Sequence, residues 1–88
     1  MTVGARFRHV PKYLFHLIND LDVPDEEGKE LPDLAAARAH GAHQAKGLIG
    51  ETAKEEARIV LHHRIDIEDE QGMVLDTVYF RDVVSVED

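Results

Sequence analysis

Ten consecutive residues alternate between two sets, Ile59, Leu61, His63, Ile65 and Ile67 against Val60, His62, Arg64, Asp66 and Glu68. A strand turns successive side chains to opposite faces, so this period of two predicts a β-strand over 59–68 with an isoleucine-rich inner face. Glu68-Asp69-Glu70-Gln71-Gly72 predicts a hairpin turn in which Gly72 can take a positive φ, and residues 73–81 form the returning strand with Val78 and Phe80 inward. Upstream, Lys12-Tyr13-Leu14-Phe15-His16-Leu17-Ile18 is rich in strand formers and runs from Pro11 to the turn-prone Asn19-Asp20. Tyr13, Phe15 and Leu17 share one face, and Leu14 and Ile18 flank His16 on the other, so this strand is either central or covered at its back.

Residues 21–31 hold Pro24, Gly28 and several acids, enough for a short, irregular second strand at most. Pro32 stops that segment, and the Asp33 carboxylate can accept from the unpaired amides of a helical first turn. From there Leu34, Ala37, Gly41, Ala45, Leu48, Ile49 and Thr52 recur at spacings of three and four, which predicts a helix over residues 34 to about 56 with one buried stripe. His43, Lys46, Gly50 and Lys54 fall on the opposite, solvated face. Gly41 lies mid-stripe, where the missing Cβ lets the backbone approach a sheet, while Gly47 and Gly50 weaken the last turns enough for them to fray or end early. The order β-β-α-β-β predicts a two-layer α+β fold, one long helix on a three- or four-stranded antiparallel sheet. The single domain spans 12–83, between an N-terminal tail of residues 1–11 and a C-terminal tail of residues 84–88.

Composition narrows the function. The chain has 88 residues, no cysteine and a formal net charge of −8. Without cysteine there is no disulfide framework, thiolate metal site or catalytic thiol, and nothing points to an oxidising compartment. The first ten residues carry Arg6, Arg8 and His9 but no apolar run of signal-peptide length, and no later run approaches a membrane span, so the expected location is the cytoplasm. Phosphate contacts need clustered Lys and Arg, which an acidic chain lacks, so neither nucleic acid nor membrane is an expected partner. The acids concentrate in residues 25–33 and 66–70, both read as solvated turns.

The runs Lys12-Tyr13-Leu14-Phe15-His16, Pro24-Asp25-Glu26-Glu27-Gly28, Glu30-Leu31-Pro32-Asp33-Leu34 with Ala35-Ala36-Ala37-Arg38, and Asp69-Glu70-Gln71-Gly72 before Thr77-Val78-Tyr79-Phe80-Arg81-Asp82 together resemble a family of short bacterial proteins classed as a domain of unknown function. The resemblance covers roughly residues 11–83 and implies a fold but no activity. A thinner likeness, carried by Tyr13, Phe15 and Pro32-Asp33-Leu34, is to the antitoxin half of HicA/HicB toxin-antitoxin pairs. It implies a regulatory partner.

Six histidines are the chemistry most worth following, because histidine serves as metal ligand and as general base. His40 and His43, three apart on the helix, are the candidate metal pair, though no third ligand is evident. His62 and His63, adjacent in a regular strand, point to opposite faces and cannot share an ion. His63 on the isoleucine face and His16 between Leu14 and Ile18 read as buried, hydrogen-bonded histidines, His16 alternatively as part of a subunit contact. Asp20, Asp22, Asp25 and Glu30 miss calcium-loop spacing, since Pro24 and Asp25 occupy a ligand and the glycine position. Ser85 has no glycine-flanked elbow, and no phosphate loop is present. These residues predict no cofactor, no metal and no catalytic group. They predict a noncatalytic protein-interaction domain, engaged through Leu14, His16 and Ile18 as a homodimer or with another protein, because the first strand has two apolar faces and an open sheet needs its edges covered. The alternatives are a HicB-like or regulatory partner masking a basic protein, and a histidine-based metal-binding protein.

Overall fold

In a computed structural model that describes residues 10–20 and 22–84, the first run of strand formers is β1, Lys12–Ile18. Two short strands, β2 (Asp22–Val23) and β3 (Lys29–Glu30), pair antiparallel with opposite ends of β1. Then come α1 (Leu34–Glu56), β4 (Arg64–Glu68), β5 (Val74–Tyr79) and a 3-10 turn, Phe80–Asp82. The sheet has five antiparallel strands in the order β2-β1-β4-β5 with β3 also beside β1, so β1 is central. Residues 1–9 and 85–88, most of the two expected tails, and Leu21 lie outside the described residues.

Helix α1 begins where Asp33 caps it, its Oδ1 accepting from the Ala36 amide at 2.8 Å. It ends at Ala57, which turns into the left-handed region (φ 55°) and donates its N–H to the Ala53 carbonyl. Its stripe is buried at Ala37, Gly41, Ala45 and Ile49, whereas Leu34 at the first turn is exposed. Beneath lie two rows that the register sets side by side, Phe15 with Ile67 and Leu17 with Ile65 and Val78. Ile65, Ile67 and Val78 are the largest fully buried side chains. Phe80 is buried beside them, as the inward pattern predicts, but from the 3-10 turn rather than from a strand.

The predicted ten-residue strand is corrected to five. Residues 58–63 form no ladder, and Ile59 and Leu61 are 44% and 43% exposed. A strand needs neighbours, and here both neighbours stop: β1 bends away after Ile18, and β5 curls into the 3-10 turn after Tyr79. The chain before β4 is instead tied to that turn by Phe80 N–H to His63 O (2.9 Å) and Arg81 N–H to Leu61 O (3.2 Å).

Gly41 packs over the sheet as expected, with less demand on the missing Cβ. An added methyl would meet Val78 Cγ2 at 3.4 Å and Ile67 Cδ1 at 3.5 Å, near ordinary contact distance. Gly47 and Gly50 did not shorten the helix, because Ile49 and the half-buried Leu48 anchor those turns to the core. A Cβ at either glycine meets nothing within 4 Å. Gly47→Ala and Gly50→Ala are each expected to raise unfolding stability by about 0.5–1 kcal/mol in urea denaturation, from helix propensity and reduced unfolded-state entropy.

Candidate functional site

The face of the sheet turned away from α1 carries Leu14, His16 and Ile18, all half-buried. Most of their neighbours on β4 and β5 are polar, with the exposed Val74 opposite Glu68 the apolar exception. Asp66 Oδ1 accepts from Arg64 Nε at 3.1 Å and from Thr77 Oγ1 at 3.0 Å, and Arg81 stacks its guanidinium over Tyr79 at 4.5 Å. The second face of β1 is therefore an apolar row beside a charged lattice. Asp66 and Glu68, read from sequence as part of an acidic turn, belong to β4 and to this lattice. His16 is hydrogen-bonded, as predicted: Nδ1 accepts from the Asp25 amide at 3.0 Å, which leaves the proton on Nε2, 3.3 Å from Glu68 Oε1. Between these residues lies a recess of about 280 Å³ bordered by His16, Ile18, Asp22, Pro24 and Glu68.

Charged side chains occupy one gap beside β1 and one point along the edge strand β5. On β1, the amide of Phe15 points outward between β2 and β3, and Asp25 Oδ2 accepts it at 3.1 Å, so a carboxylate stands where a partner strand would. Its Oδ1 accepts from Glu27 and Gly28, also at 3.1 Å. Burial raises the Asp25 pKa, but the amides of Gly28, Phe15 and Glu27 with the nearby His16 outweigh it and hold the carboxyl below its ordinary value. Gly28 is required here, with φ +73° and any Cβ meeting Leu14, Lys12 and the Tyr13 carbonyl at 3.0 Å. On β5, Arg38 Nη1 bonds Asp76 Oδ2 (2.9 Å) and Thr77 O (3.2 Å), while Asp76 Oδ1 accepts the Thr77 amide at 2.8 Å. Charged groups that satisfy edge amides and carbonyls discourage strand addition. The outer face of β1 is a separate, half-buried surface.

Of the candidate metal pair, His40 is half-buried edge-on against Phe15, ring centroids 4.7 Å apart, and His43 is exposed. Burial, then the charges of Lys29 and His43, outweighs the opposing pull of Asp25 and holds His40 below the usual histidine range. His40 overlooks a groove of about 390 Å³ floored by Phe15, Leu17 and Leu48 and rimmed by Lys29 and Gln44. Its one carboxylate, Asp25, already has both oxygens engaged with backbone amides.

His62 and His63 sit in and just after a turn, not in a strand, so the alternation that would part their rings does not apply. The rings lie 5.0 Å apart at 79°. His63 is half-buried against Phe80 rather than hydrogen-bonded in the core: its buried Nε2 has no hydrogen-bond partner among the described residues and stands 3.7 Å from Asp20 Oδ1. Sequence reasoning missed this convergence because its argument rested on a strand that begins only after His63, at Arg64.

A family model described as a domain of unknown function, DUF6894, matches residues 12–81. No curated protein and no solved structure matches the chain. The likeness to HicB antitoxins finds no support in these comparisons. No helix among the described residues is long and apolar enough to cross a membrane.

Proposed function

We propose that this chain, which belongs to the DUF6894 family of domains of unknown function, is a noncatalytic protein-interaction domain whose outer sheet face receives a basic segment of another protein. The observation that carries the reading is the recess lined by Ile18 and Pro24 together with His16 and the acids Asp22 and Glu68. Apolar surface flanked by two acids suits the aliphatic stem and cationic head of a lysine or arginine. The net charge of −8 favours a basic partner over a second copy of the chain, whose acids would repel it. Asp25 beside β1 and the Arg38–Asp76 pair on β5 support the same reading, since charge at those points disfavours strand addition there.

The test is amide chemical-shift mapping with a synthetic peptide of alternating lysine and leucine, and with its glutamate-leucine counterpart as control. Shifts confined to residues 14–18, 22–24 and 68, seen only with the basic peptide and weakened by salt, are the expected result. Asp22→Lys, at an exposed position, is expected to weaken binding about tenfold or more, by placing like charges together. Shifts spread over the whole acidic surface would sink the reading, as would a dimer in sedimentation at micromolar concentration that buries the same face.

A further inference from the structure

We propose that Asp20, His62 and His63 form a binding site for one divalent transition-metal ion of the zinc class. Each residue offers one ligand atom, and these three atoms all lie within 4.8 Å of one another. Among the described residues this is the one group of three or more His, Asp or Glu side chains that converges in this way. Donors that surround a tetrahedral zinc at roughly 2.0–2.2 Å are separated by about 3.3–3.5 Å, so closure asks for a movement of about an ångström. The exposed side chain can supply it: Asp20 is 80% exposed.

The placement follows from the pairing of β1 with β4. Ile18 and Arg64 are the last pair of the ladder, so Asp20 leaves β1 at the end of the sheet where His62 and His63 lead into β4. The turn at Leu61-His62 then carries both rings to the same end of the sheet. A second observation points to a ligand independently of the distances. The Nε2 of His63 is buried, lacks a hydrogen bond among the described residues and faces the Asp20 carboxylate from 3.7 Å, too far for a good hydrogen bond. An imidazole nitrogen left unpaired beside a carboxylate costs free energy that a shared cation removes.

Two imidazoles and one carboxylate select zinc, nickel or copper over calcium and magnesium, which prefer all-oxygen shells. Three protein ligands leave the fourth tetrahedral position to water. Because Asp20 follows β1 and the histidines precede β4, the ion would pin together the ends of the two central strands. This site is separate from the outer-face recess, and its test does not depend on a protein partner.

Untagged full-length protein, stripped with chelator, is titrated with zinc chloride by calorimetry while the histidine ring signals are followed by NMR. One ion per chain, shifts at the His62 and His63 rings, and a raised melting temperature with zinc are expected. His62→Ala and Asp20→Asn, both at exposed positions, are each expected to weaken zinc at least about tenfold, with the melting temperature of the metal-free protein close to wild type. His43→Ala is expected to leave affinity unchanged. No stoichiometric zinc overturns the proposal, and so does binding that survives both His62→Ala and Asp20→Asn or is lost with His43→Ala.

Discussion

Ile67→Ala is expected to cost about 3–4 kcal/mol of unfolding free energy, and Ile59→Ala no more than about 0.5 kcal/mol. By periodicity alone the two are equivalent members of one row. In the structure Ile67 is 0% exposed, paired with Phe15 and lying under Gly41, where an added Cβ would meet its Cδ1 at 3.5 Å, while Ile59 is 44% exposed on a segment outside the ladder. Removing three buried carbons loses their transfer free energy and leaves a cavity, and Gly41 above has no side chain with which to fill it. A domain of this length holds roughly 4–13 kcal/mol in total, so the first variant sits near the edge of folding and the second is hardly altered. Urea titration followed by far-ultraviolet circular dichroism measures both. Equal losses would restore the long strand.

That contrast marks how much of the fold the sequence carries. The bounds of β1 and α1 were legible because each has local punctuation: Pro11 and Asn19-Asp20 frame the strand, and Pro32-Asp33 opens the helix with a side-chain cap. Inward Val78 and Phe80 were legible from alternation alone. The excess length of β4 was not, because alternation records which side chains would share a face, not whether a neighbouring strand is present to hold the backbone extended. Residues 59–63 alternate and still lack a ladder, since β1 and β5 have both ended beside them.

The functional candidates divide along the same line. His16 is hydrogen-bonded as read, but half-buried on the outer face rather than buried in the core, and its partners, the Asp25 amide and Glu68, lie outside its strand. His62 and His63 were separated by an argument that is sound for a strand and fails for a turn. The acids were harder still. Charge type suggests solvated turns, yet Asp66 and Glu68 build the outer face, and Asp76 meets Arg38 across 38 residues at Thr77 on the edge strand β5. Nothing in residues 25–28 announces that the amide of Phe15 waits beside them. That amide exists as an unpaired donor only after β1 has taken its place in the sheet.

Asp25 is therefore where the other large effect is expected, and its dependence on pH separates it from a packing loss. Asp25→Ala removes the acceptor of three amides at once, one of them on the buried Phe15, and is expected to cost about 2–3 kcal/mol at pH 7. Asp25→Asn keeps the shape but replaces one accepting oxygen with a donor that faces an amide, so most of the loss remains. Burial opposes ionisation of Asp25, and the amide donors with His16 more than reverse it, so the folded-state pKa lies below the unfolded value of about 3.9. A group whose folded pKa is depressed contributes its full stability above the unfolded value and loses it as pH falls through the folded one. The stability gap between wild type and Asp25→Asn is thus expected to stay level from pH 7 to about pH 5 and to shrink below pH 4, as the wild-type carboxyl takes up its proton. Ile67→Ala, which removes no ionisable group, keeps a constant gap over the same range. Guanidinium titrations of the three proteins at pH 7, 5 and 3 make the comparison, and a gap for Asp25→Asn that is as large at pH 3 as at pH 7 would mean that the carboxylate is not what holds the gap beside β1.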